Sequence, residues 1–144
     1  MKKIFISFVL ATVSTLSVAA EGRWTEGFGQ GNLEYFIDKQ GVSLHIGCPT
    51  KDGSADASSD VNLYMLNTMQ PVQKFIIKVN GLTFDAPFST SSRVGENNFI
   101  TLLEALRKGD AVVEVGKKRI VFPKSNAAKV IPVYGHKNFE CNVL

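Results

Sequence analysis

The chain has 144 residues, a formal net charge of +3 and two cysteines. That length accommodates one domain of ordinary size and excludes architectures such as the eight-stranded α/β barrel, which needs roughly 250 residues. Hydrophobic residues make up 44% and charged residues 20%, so the chain can bury a core and wholesale disorder is excluded; a charge of +3 is too small to point to nucleic acid.

Lys2 and Lys3 precede an uncharged, mainly apolar run from Ile4 to Val18, which ends in Val18-Ala19-Ala20. A basic start, an apolar centre and small residues at the end make the three-part pattern of a secretory signal, with cleavage expected after Ala20. The run is interrupted by Ser and Thr and is shorter than the roughly 20 apolar residues that span a bilayer. Removing residues 1–20 from the 144 leaves 124 residues, and the loss of Lys2 and Lys3 lowers the charge from +3 to +1. No cysteine stands at the cleavage point to carry a lipid, and no second apolar run is long enough to cross a membrane. The expectation is a single β-rich domain over 21–144, periplasmic or secreted, without a membrane anchor.

Cys48 and Cys141 both lie in that mature region. In an oxidising compartment an even count reads as disulfide bonding, and two cysteines leave one possible pairing. Closing so long a loop stabilises a fold by about 4–5 kcal/mol in the chain-entropy treatment. A zinc site would need Cys48, Cys141 and both histidines, His45 and His136, with no close-spaced ligand pair among them. Neither a metal nor a cofactor is expected.

Along the mature chain, residues 21–32 carry Gly22, Gly27, Gly29 and Gly31, with Trp24 and Phe28 between them, a loop or weak edge strand. Leu33–Asp38 reads as a strand, and Asp38–Gly41 as a turn. Val42, Leu44, Ile46 and Cys48 alternate with Ser43, His45 and Gly47, which predicts a strand with Cys48 facing inward and His45 facing solvent. Pro49–Asp60 is small, polar and aperiodic, an exposed loop. Its Asp52, Ser54, Asp56, Ser58 and Asp60 recur at every second position, as in an alternating-ligand calcium loop. Ala57, however, replaces the turn glycine of such a loop and Leu63 replaces its bidentate glutamate. Val61–Leu66 is the next strand. Lys74–Val79 and Leu82–Ala86 flank Asn80-Gly81, the preferred two-residue hairpin connection, and Pro87 ends the pairing.

Ser89–Asn98 forms a second polar loop, and Asn97 or Asn98 can cap a helix over 98–108 whose Phe99, Leu102, Leu103 and Leu106 fall on one stripe. Arg107 and Lys108 suit the negative end of that helix, and Gly109 suits its C-cap. Ala111–Val115 and Arg119–Phe122 make a second hairpin around Gly116-Lys117-Lys118, with Lys-rich edges that discourage association. A short helix over 125–131, capped by Ser125, ends at Pro132. Tyr134, Phe139 and Cys141 bring the tail back to the core.

Motifs for chemistry are sparse. No Gly-x-Ser-x-Gly elbow marks a hydrolase nucleophile, and the glycines near Gly27 open no helix that could cradle a phosphate. Glu34, Asp38 and Glu104 could serve as paired carboxylates, but nothing in one dimension joins them. Leu102–Gly109, followed by a Val-rich hairpin and a late cysteine, is similar to the pattern of the invasion-associated locus B group over residues 99–141. That group carries additional cysteines, which this chain lacks. The Ser-Gly-x-x-Tyr signature of one group of periplasmic lysozyme inhibitors is absent as well.

The sequence thus predicts an α+β fold, mainly antiparallel sheet or sandwich of about seven or eight strands, with one packed helix (98–108) and one disulfide. Two polar loops on a rigid scaffold predict a protein-binding module rather than an enzyme. Its concrete form is an inhibitor or immunity protein against a peptidoglycan hydrolase, with Asp52, Asp56, Asp60, Ser92 and Arg93 as partner-binding candidates. The alternatives are an enzyme of unrecognised type using His45 or His136 as base, and a small-ligand carrier lined by Trp24, Phe28 and Tyr35.

Overall fold

Alternating apolar and polar side chains become two antiparallel sheets in the computed structural model, which describes residues 20–29, 31–49 and 57–143. Residues 1–19 of the expected signal segment, Asp52 and Asp56 lie outside the described residues. The first sheet runs in the order β1 (Trp24–Gly29), β2 (Asn32–Lys39), β3 (Val42–Pro49), β4 (Asp60–Met65) and β5 (Gln70–Pro71). The second contains β6 (Phe75–Val79) and β7 (Leu82–Ala86). A two-residue strand, β8 (Phe88–Ser89), pairs back onto β4. After helix α1 (Arg93–Lys108), β9 (Ala111–Val115) and β10 (Lys118–Phe122) complete the second sheet in the order β10-β9-β6-β7. A single turn of helix, α2 (Ala127–Val130), follows.

Each sheet buries one face. Leu33, Tyr35 and Ile37 of β2, Val42, Leu44, Ile46 and Cys48 of β3, and Val61 and Leu63 of β4 share a core with Phe75, Ile77, Val79, Val113, Ile120 and Phe122 of the second sheet. Fully burying each such side chain stabilises the fold by about 1.5–3 kcal/mol. The β6–β7 hairpin turns at Asn80 and Gly81, whose φ angles are +50° and +76°. Positive φ at both central residues matches the twist of the flanking strands, which is why Asn-Gly stands there. The glycine-rich segment expected as a loop or weak edge strand is the edge strand β1, whose Phe28 remains 71% exposed.

The helix is longer than its apolar stripe predicts. It begins at Arg93, capped by Ser92, whose Oγ accepts a hydrogen bond from the Gly95 N–H at 3.1 Å. Most of the segment expected as a loop over 89–98 is therefore β8 and the first helical turn. This turn buries only Gly95 and leaves Val94 71% exposed, so hydrophobic periodicity starts at Phe99. Gly95 is packed so tightly that an added Cβ would stand 1.9 Å from the Ser89 carbonyl oxygen. Phe99, Leu102, Leu103 and Leu106 are buried, as the stripe predicts. Gly109 is the C-cap in extended conformation; its N–H reaches the Ala105 carbonyl at 3.0 Å.

The short helix α2 is capped at Asn126, not Ser125. The Asn126 side chain is used elsewhere: its Oδ1 accepts from the Trp24 N–H at 2.8 Å and its Nδ2 donates to the Trp24 carbonyl at 2.9 Å. It thereby satisfies both main-chain groups of Trp24 at the start of an edge strand. Arg107 donates to the carbonyls of Ala128 and Ile131, joining the last turn of α1 to α2.

Cys48 and Cys141 form the disulfide across a sequence separation of 93, and both are buried. Next to it, the Thr90 N–H donates to the Ser59 carbonyl, and Thr90 Oγ1 accepts from the Ser59 N–H and donates to the Asn142 carbonyl. Asn142 Nδ2 in turn donates to the Ala57 carbonyl at 2.7 Å. One covalent and four hydrogen bonds thus tie the end of β3, the approach to β4, the turn after β8 and the C-terminal segment together.

Replacing both cysteines by serine is expected to lower stability by about 4–5 kcal/mol, the entropy of the freed loop, measured by urea unfolding under oxidising conditions. Gly95→Ala should cost about 1–3 kcal/mol or more by overpacking the contact with β8, read in the same assay as a lower midpoint with unchanged slope.

Candidate functional site

The outward face of the first sheet is built from the residues that alternate with the core. The register sets Glu34 of β2 opposite Gly47 of β3, and Gly47 opposite Asp60 of β4. The next row on the same face is Phe36, His45 and Asn62. Because Gly47 has no side chain, the first row has a main-chain floor between two carboxylate-bearing neighbours. A cleft of about 310 Å³ opens there, lined by Asn32, Glu34, His45, Gly47, Pro49, Ser58, Asp60 and Tyr64.

His45 is expected to be a solvated strand residue. It is half-buried instead. Its ring stacks on Phe36 (centroids 5.1 Å apart, planes at 16°) and meets Tyr64 edge-on at 5.0 Å. Such aromatic pairs fix ring orientation as well as burying area. Burial holds the imidazole below its ordinary pKa, against the opposing pull of Glu34 and Asp38. Its neutral form is therefore favoured.

Asp60 shows the reverse effect. Burial pushes its carboxyl up, hydrogen bonds from the Asn62 side chain and the Gly47 N–H draw it down, and the negative charge of Glu34 raises it again. The carboxylate leans over Gly47: a Cβ on that glycine would stand 2.5 Å from Asp60 Oδ1. The Tyr64 hydroxyl is raised by burial and then by Asp60 and Glu34. Two carboxyl groups, an imidazole and a phenol thus share one concave polar surface.

The sequence singled out Asp60 and His45 but not their juxtaposition with Glu34 and Tyr64. Alternation does place all four side chains on outward faces; only strand order brings them together. Of the other candidates, Ser92 is the helix cap and Arg93 the first helical residue, both exposed. They belong to the same end of the molecule, because Asp60 pairs with Ser89 three residues before Ser92. His136 lines a separate cavity of about 290 Å³ with Glu26, Tyr35 and Arg107. Burial, then Glu26 and Glu140, push the Tyr35 phenol up to about 12, so it remains protonated at neutral pH. Trp24 and Tyr35 are core residues whereas Phe28 projects into solvent, so these three aromatics do not form a common lining. Among the described residues, no group of three or more His, Cys, Asp or Glu is placed to hold a metal ion, and no helix is long and apolar enough to cross a membrane.

The folded state favours neutral His45, so its folded pKa lies below the unfolded value of 6.5. The associated stability is complete above the unfolded pKa and is lost as pH falls through it toward the folded pKa. An NMR titration should place the His45 midpoint below 6.5, and His45→Gln should flatten the loss of stability on the acid side of that pH.

The YfjT family model matches residues 22–131, which include both sheets and both helices and stop short of Cys141. The match covers most of the chain, and the chain belongs to the YfjT family. No curated protein and no solved structure matches it.

Proposed function

We propose that this member of the YfjT family is an exported protein-binding module, an inhibitor or immunity protein that acts on a cell-wall-degrading enzyme. The observation that carries this reading is the meeting of residues 57–60 with residues 89–90 at one end of the fold. Asp60 pairs with Ser89, and Thr90 bonds Ser59 on one side and Asn142 on the other. The disulfide lies beneath the same end. Residues 57–60 and 89–93, held by these bonds, lose little conformational entropy on binding, which favours insertion into a partner's cleft. Exposed Arg93 stands at this end, and Arg is enriched among residues that anchor interfaces. Export is supported by the signal-like pattern of residues 1–20 and by the buried disulfide, which persists in oxidising compartments.

The test mixes the chain from Glu21 to Leu144 with muramidase, amidase and endopeptidase representatives and follows clearing of purified peptidoglycan. Near-stoichiometric inhibition of one class is expected, weakened about tenfold or more by Arg93→Glu, the scale of one lost interface anchor. The reading is overturned if no class is inhibited and calorimetry detects no binding.

A further inference from the structure

The cleft over Gly47 has the chemistry of a receptor for a cation. Its floor is main chain, one wall is Glu34, another is Asp60, and the rings of His45 and Tyr64 close one end. Glu34 and Asp60 stand two strand spacings apart, about 10 Å between Cα atoms, with the glycine between them. Among the described residues neither carboxylate forms an ion pair, and none of those lining the cleft is a lysine or arginine. Burial disfavours the charged form of the imidazole.

We propose that this cleft binds a guanidinium group, the side chain of an arginine on the partner protein, between the carboxylates of Glu34 and Asp60 and against the ring of Tyr64. The proposal rests on the protein-binding reading for the identity of the arginine's owner. The observations favour a guanidinium over a metal ion, because no metal-holding cluster of ligands is present among the described residues. They favour it over an ammonium as well. A planar fork can donate to two separate carboxylates while its face stacks on an aromatic ring, whereas an ammonium acts as a point charge. Burial has raised the cost of ionising Asp60, and the neighbouring Glu34 adds to it; a bound cation relieves both. Gly47 lets the Asp60 carboxylate lean over the β3 main chain, and any side chain there would meet it.

The probe is Nα-acetylarginine methylamide, titrated into the full mature chain with the His45 and Tyr64 ring signals followed by NMR. Its neutral isostere, Nα-acetylcitrulline methylamide, is the control. The expected result is a saturable shift of both rings with the arginine probe and none with citrulline. Glu34→Gln and Asp60→Asn should each weaken binding about tenfold, the scale of one charge-assisted hydrogen bond. Gly47→Ala should do the same while leaving the fold intact, since the displaced atoms are the end of a flexible side chain. A flat titration, or equal response to citrulline, overturns the site even where a hydrolase is inhibited. A saturable, charge-dependent response upholds it even where none is, so the two proposals fail separately.

Discussion

β3 is hydrogen-bonded on both sides, to β2 and to β4, and its side chains alternate strictly between two faces. Its register therefore decides two things at once. Inward, it buries Leu44, Ile46 and Cys48 and delivers Cys48 to Cys141. Outward, it places His45 between Phe36 and Tyr64 and Gly47 between Glu34 and Asp60. A slip of one residue would exchange the faces, exposing the apolar set and driving imidazole into the core. Core packing and the polar cleft are consequences of one constraint.

The second organising feature is the tied end of the molecule. The disulfide joins β3 to the C-terminal segment, and Thr90 bonds to both Ser59 and Asn142. Local order here does not come from secondary structure: residues 57–59 and 141–143 belong to neither strand nor helix. It comes from the disulfide, the Thr90–Ser59 main-chain bond and main-chain groups paired by side chains, as Asn126 does for Trp24. The cleft lies against this end through Ser58, Pro49 and Asp60.

Much of the architecture was legible because the chain states its periods openly. The alternation in Val42–Cys48, the Asn80-Gly81 turn and the Phe99–Leu106 stripe each correspond to the element they imply. Where the sequence misled, tertiary contact had replaced hydrophobicity as the stabilising term. The first turn of α1 packs through a glycine, which adds nothing to an apolar stripe, and so resembles a loop. His45 looked solvated because alternation reports the face on which a side chain lies, not the neighbours it finds there. β5 and β8 are two-residue pairings too short to leave a periodic trace.

By itself, the sequence determined the antiparallel β-rich class with its packed helix, the inward direction of Cys48 and the one possible cysteine pairing. These depend on local period and on counting. Only the tertiary structure decided that Glu34, Gly47 and Asp60 form one row, that Tyr64 reaches His45, and that the segments around Asp60 and Ser89 share one end. Those juxtapositions join residues on different strands, and strand order and register arise from burying two sheets and a helix in one core rather than from any local pattern.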